Sequence, residues 1–181
     1  MLACKIIFLM RLKIIQVRGL FITSNTKSCG CPSIIDEDWE LKETEWTETA
    51  FYKTRISMFF HVPIGLNKKL KKAREKMAEK GYSESIPHTV MLKDGLFSGL
   101  VLIGVEPATT REPDIEVVTS GPIVTKVFKR GGKSLNKTVA ELLSYIRSKT
   151  DAHPEAVYFW LVTCDECMDG DQEKIVIIAK L

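Results

Sequence analysis

No stretch of this chain offers the roughly twenty uncharged apolar residues that a membrane-spanning helix needs. The most apolar segment, MLACKIIFLMRLKIIQVRGLFI, is interrupted by a base every few residues. Acids are absent from the first 35 residues, whose charges are Lys5, Arg11, Lys13, Arg18 and Lys27. Those bases lie inside the apolar run and not ahead of it, which is not the layout of a secretory signal. Three readings of the leader remain: an organelle-targeting peptide, a membrane-surface helix, or an extension with little order in which Met10 is an alternative initiator. The formal net charge of +3 originates there, because setting aside those five bases leaves 21 of the 26 against 23 acids. The rest of the chain is therefore near neutral and carries no basic stripe interleaved with aromatics, so nucleic acid is not an expected partner.

Chemical signatures are equally scarce. The chain has no G-x-S-x-G, no phosphate-binding loop and no Cys/His pair with a third orienting group. Three histidines, His61, His88 and His153, are far apart and lack metal-ligand spacing. There are five cysteines: Cys4, the Cys29-x-Cys31 pair and the Cys164-x-x-Cys167 pair. Two such pairs could supply four thiolates to a structural zinc. The first pair falls in the leader, however, and neither has the context of a zinc knuckle. The reading adopted is of reduced cysteines in a cytoplasmic protein, with neither metal nor cofactor. Cys164-Asp165-Glu166-Cys167 ends a strand and does not open a helix, so it lacks the helix N-terminus that activates a redox thiol.

What is present is a repeated pattern in a chain of 181 residues, 45% hydrophobic and 27% charged. Ile123–Lys129 is strand-like, Gly131-Gly132 breaks it, and Ser134 caps a helix with Leu135, Val139, Leu142, Leu143 and Ile146 on one face. Earlier, Arg55–Phe60 is followed by Pro63, Gly65 and a helix over 66–80 with Leu66, Leu70, Ala73 and Met77 on one face. Without gaps, Phe59, Leu66, Asn67, Lys68 and Lys80 match Phe128, Leu135, Asn136, Lys137 and Lys149. Gly81 suits a helix C-terminus, and Asp94-Gly95 predicts a two-residue hairpin between strands at 86–92 and 96–105. Trp39–Thr49 is expected as an edge strand, and Pro122 as a mark of a bulge or edge. Glu106–Asp114 is the linker. After His153-Pro154, strands at 156–164 and 173–181 enclose a turn at 168–172.

These elements predict an α+β fold. Tandem duplicated β-α-β-β units form a mostly antiparallel sheet, with two helices on one face and a ligand cleft between the units. Residues 1–35 form the leader and 36–181 the domain, with repeats at 36–106 and 115–181.

Alternation along 156–164 sets Val157, Phe159 and Leu161 under a helix and turns Tyr158 and Trp160 the other way. Large aromatics with a polar handle suit an apolar pocket with a few anchors. They suit equally a packed saddle between the units. Tyr52, Phe128, Tyr145, Tyr158 and Trp160 are the candidate ligand-binding residues. His88, inside a strand, is the histidine best placed to face a pocket.

Two β-α-β-β units, the second opening on Ser120-Gly121-Pro122-Ile123-Val124-Thr125-Lys126-Val127-Phe128 before a glycine break and a helix, resemble the GyrI-like small-molecule-binding domain. That fold is also the effector domain of multidrug-sensing transcription activators and is related to the SOUL haem-binding proteins. The resemblance covers about Trp39 to Leu181. It implies a cleft lined by aromatics, often with one buried acid that pairs with cationic drugs or, in some free-standing members, hydrolyses strained electrophiles. The family places that acid on the strand after the second helix, where this chain has Trp160 or a neighbour. Glu155, Asp165 and Glu166 flank the strand instead, and Glu106 and Glu116 lie on or near other strands. The resemblance thus implies a free-standing module that binds or sequesters an apolar or cationic small molecule. Alternatives are a small hydrolase using a cleft glutamate, a haem-binding module dependent on one histidine, and a module that takes a protein partner in the same groove.

Overall fold

The computed structural model describes residues 27–106, 112–151, 153–162, 164 and 174–181. A 3-10 turn (Asp36–Asp38) leads into β1 (Lys42–Trp46), β2 (Thr49–Phe59), β3 (Val62–Pro63), α1 (Leu66–Glu79), β4 (Ser83–Glu84), β5 (Val90–Lys93) and β6 (Ser98–Glu106). Then come β7 (Ile115–Val118), β8 (Gly121–Lys129), α2 (Leu135–Lys149), β9 (Ala156–Leu161) and β10 (Lys174–Lys180). The fold is the expected α+β one. Strands β8, β10 and β9 of the second unit continue into β5, β6 and β2 of the first, in one antiparallel sheet. The leader up to residue 26, most of the linker and the turn at 168–172 lie outside the described residues.

The two units exchange their leading strands. β1 precedes β2 in sequence but pairs with β8, Lys42 facing Thr125 and Trp46 facing Gly121. Reciprocally, β7 precedes β8 but pairs with β2, Thr49 facing Val118. Each leading strand is joined to the next by two residues, Thr47-Glu48 and Thr119-Ser120. A two-residue hairpin asks for positive φ, which none of these four residues adopts. The chain therefore runs on from one unit into the other. The connectors touch where they cross: the Glu48 amide donates to Ser120 Oγ at 2.9 Å. Pro122, second in β8, sits near the strand start, where a missing donor is tolerated.

The helices differ at both ends. Ser134 Oγ accepts from the Lys137 amide at 3.3 Å to cap α2. α1 has no side-chain cap; Gly65 precedes it at φ +66. Its C-terminus closes on Gly81 at φ +77, with Gly81 and Tyr82 amides donating to the carbonyls of Ala78 and Met77 at 3.0 and 2.9 Å, the pairing of a Schellman motif. The β5–β6 connection differs from expectation. It takes four residues, 94–97, because β5 ends at Lys93 and β6 begins at Ser98. The Asp94 carboxylate accepts the Gly95 amide at 2.8 Å and stands 2.7 Å from His61 Nδ1.

Alternation divides the core into two layers. On the helix side, Ala73 and Met77 pack with Tyr52, Ile56, Met58 and Ile103, and Leu142 and Ile146 pack with Val124 and Ile177. On the opposite side Trp39, Trp46, Phe51, Met91, Tyr158 and Trp160 form one cluster. The folded body also reaches ahead of Asp36. Cys31 is buried, and the carbonyl of Gly30 accepts the His88 amide at 2.9 Å.

Candidate functional site

The side of the sheet away from the helices is filled. Trp46, Phe51 and Trp160 are each 1% exposed or less. Trp160 meets Trp39 edge-on at 5.2 Å between ring centroids, and Tyr158 lies 6.2 Å from Trp46. Tyr158 and Trp160 are thus brought together, as their strand alternation requires. Burial pushes the Tyr158 phenol up, helped by the carboxylates of Glu116 and Glu155. Glu116 itself pairs with Lys53 at 2.9 Å, and Lys93 Nζ sits 5.9 Å from the Tyr158 ring centroid.

The other three sequence candidates go elsewhere. Tyr52 lies on the helix side, 6.1 Å from Tyr82, and its neighbour Phe51 is the residue that joins Tyr158. Its phenol is raised by burial first and then by Asp114. Phe128 packs at the edge of the α2 layer. Tyr145, on α2, donates to Glu43 at 2.7 Å, a bond that raises its phenol. The sequence candidates therefore do not form one set, since β2 and β9 present their tyrosines to opposite faces.

An opening lies on the helix side, between the units. It is a cavity of about 900 Å³ walled by α1 on one side and by the ends of β9 and β10 on the other. Leu66, Leu70, Val90, Leu161 and Ile175 give it an apolar floor, and Lys68, Lys71, Arg74 and Lys174 set four cations against Glu75 around it. Helical spacing explains the α1 contribution, because Asn67, Leu70/Lys71 and Arg74 fall on successive turns of one face.

Glu84 lies beside two lining residues, Arg74 and His88. Its carboxylate takes both arms of Arg74, Nε at 2.8 Å and Nη2 at 3.1 Å, and lies 3.3 Å from His88 Nδ1. Hydrogen bonding to Glu84 is the main cause that raises the Arg74 guanidinium, against the cost of burial. His88 is held from behind as well. Gly30 is at φ +82, and a Cβ there would stand 2.5 Å from His88 Cδ2 and Nε2. Only a glycine allows the ring to lie on this turn.

Cys31 and Cys164 also border the cavity. With Cys29 they form a group whose sulfur atoms all lie within 4.8 Å of one another. Cys4 and Cys167 fall outside the described residues. The sequence reading left Cys29 and Cys31 in the leader, where nothing signalled that they fold back onto the end of β9. No helix among the described residues is long and apolar enough to cross a membrane.

The architecture is an α+β fold with two helices and a helix-side cavity. The chain belongs to the family described as bacterial hydrolase, which matches residues 21–181. Its fold is similar to that of the EcmrR C-terminal domain in a crystal structure, with a TM-score of 0.60 and 14% identity over 78% of this chain and 96% of that one. EcmrR bound to DNA, seen by cryo-electron microscopy, matches with a TM-score of 0.57 and 14% identity over 77% of this chain and 57% of that one. A hydrolase encoded by lin2189 from Listeria innocua matches with a TM-score of 0.50 and 9% identity over 78% of this chain and 92% of that one. No curated protein matches the sequence.

Proposed function

We propose that this chain is a small-molecule-binding module of the GyrI-like type, and that its ligand enters the cavity between α1 and β9–β10. The single observation behind this reading is the cavity's composition, an apolar floor beneath Lys68, Lys71, Arg74 and Lys174, of which Arg74 and Lys174 are paired with Glu84 and Asp36, and one lining acid, Glu75. That balance favours a ligand with an apolar body and a negative group. It differs from the apolar or cationic ligand that the family resemblance implies, and the reason is physical: the aromatic face that would take a cation is filled by Trp39 and Trp46. Titration of the full chain with 8-anilinonaphthalene-1-sulfonate, an aromatic anion, tests the idea. Saturable fluorescence enhancement, weakened about tenfold by Lys71→Glu with an unchanged circular dichroism spectrum, is expected. Equal binding of a lipophilic cation such as rhodamine 6G, or indifference to Lys71→Glu, sinks it.

Membership of the bacterial hydrolase family, together with Glu84 beside the cavity-lining Arg74 and His88, supports a second reading as a hydrolase. Here the His88 imidazole takes a proton from an attacking water, and the Glu84 carboxylate 3.3 Å from Nδ1 stabilises the charge that forms. A panel of nitrophenyl esters and strained electrophiles, assayed with His88→Gln and Glu84→Gln, tests this. Turnover that survives both substitutions rules it out.

A further inference from the structure

We infer that Cys29, Cys31 and Cys164 bind one thiophilic divalent ion, for which zinc is the fit, at the edge of the cavity. The three sulfurs come from the two ends of the described chain and are gathered by the fold, all within 4.8 Å of one another. None is in a disulfide. Zinc–thiolate bonds of about 2.3 Å in a tetrahedral array place sulfurs about 3.8 Å apart. The observed group therefore needs only a small contraction. Cys31 is 5% exposed, and Cys29 and Cys164 are half-buried, so binding does not require the fold to open.

The surroundings suit the charge of such a site. Three thiolates around a dication carry a net negative charge, and the Arg74 guanidinium stands close enough to feel the charges of Cys164 and Cys31. Arg74 is fixed by both oxygens of Glu84. The turn that presents Cys29 and Cys31 is closed on itself: the Lys27 amide donates to the Cys31 carbonyl at 2.8 Å and the Gly30 amide to the Lys27 carbonyl at 2.9 Å. It is pinned by the His88 amide, two residues ahead of β5. The ligand set is thus built on a fixed turn and a strand end, which limits the ordering cost of binding. Three donors among the described residues leave one zinc position to be filled. Binding requires thiolates, so it releases protons and strengthens as pH rises.

The test uses the full chain, reduced with a phosphine and stripped with a chelator, then titrated with Zn²⁺ against a chromophoric chelator and separately with Co²⁺. One ion per chain is expected, with the thiolate-to-cobalt charge-transfer band and the visible bands of a tetrahedral site. Cys31→Ser and Cys164→Ser should each weaken binding by roughly 100-fold or more, while Cys4→Ser binds as the parent does. If those variants fail to fold, alkylation of the parent chain decides. Zn²⁺ should protect Cys29, Cys31 and Cys164 from iodoacetamide while Cys4 remains reactive. Absence of stoichiometric binding, a cobalt spectrum without thiolate charge transfer, unchanged affinity in Cys31→Ser and Cys164→Ser, or no selective protection each overturns the proposal. None of these readouts depends on the cavity ligand, so this proposal and the binding reading fail separately.

Discussion

Met91 of β5 and Trp160 of β9 face each other at the seam where the two units join. They are 69 residues apart (91 to 160), as are the first residues of the two helices (66 to 135), so the pair occupies equivalent places in the two repeats. Both are fully buried, with 0% exposure. The seam is therefore a self-facing contact in which one repeat contributes methionine and the other tryptophan. Its neighbours pair in register on either side, Val90 with Leu161 and Leu92 with Phe159.

Trp160→Ala should be among the most destabilising single changes. It removes a ring at 0% exposure that packs edge-on against Trp39, and truncations of that size cost about 3–5 kcal/mol. Trp160→Phe keeps part of the volume and should cost less than half as much. Urea denaturation followed by circular dichroism measures both. A cost below about 1 kcal/mol for the alanine variant would mean that the seam relaxes around the hole.

The order of strands and helices was legible because strand alternation and helical spacing are local. Ser134, Gly81 and the apolar stripe of α2 are read from a few neighbouring residues. The strand exchange was not legible. Trp39–Thr49 reads as an edge strand, but nothing in it says that it pairs with β8 and not with β2. That choice is made by the connectors, Thr47-Glu48 and Thr119-Ser120, whose backbones do not turn. The aromatic face was half legible: Tyr158 and Trp160 follow from alternation, whereas Trp39 and Trp46 reach them only through the exchange. The cavity was missed because its walls, at Cys31, on α1, at His88 and Val90, and at Leu161, Cys164, Lys174 and Ile175, are distant in sequence. Their chemistry is ordinary until the fold collects it.

Gly30→Ala should lower stability and displace His88. The substitution puts a side chain at φ +82, with its Cβ 2.5 Å from the imidazole. The left-handed backbone alone costs about 1–2 kcal/mol for an alanine. The expected result is a lower denaturation midpoint together with a shifted His88 imidazole resonance. An unchanged resonance would show that the turn moves and the ring stays.

Asp36 should contribute stability that disappears in acid. Burial pushes its carboxyl up, but hydrogen bonds and charge from Lys129 and Lys174 outweigh this and hold it below the ordinary value of 3.8. A depressed folded value means that the unfolded chain takes up the proton first. The contribution is therefore complete above the unfolded value and is lost as pH falls through the folded one. Asp36→Asn should be less stable than the parent at pH 7 by at most about 1 kcal/mol, because the pair is partly solvated. That gap should close below pH 3.8. A gap that stays constant down to pH 2 would place the effect in packing and not in charge.

Arg74 and Glu84 should be coupled. The Glu84 side chain is 15% exposed and that of Arg74 47%, so the acid loses more when the pair is broken. Arg74→Leu leaves a largely buried carboxylate without its bidentate partner and should cost more than Glu84→Gln, which removes the charge itself. A double-mutant cycle on stability should return about 1–2 kcal/mol, at the upper end for a partly exposed pair because the contact is bidentate. Urea denaturation of the parent, Arg74→Leu, Glu84→Gln and the double variant measures the cycle. Costs that simply add, with no coupling left over, would place the effect in packing and not in the ion pair.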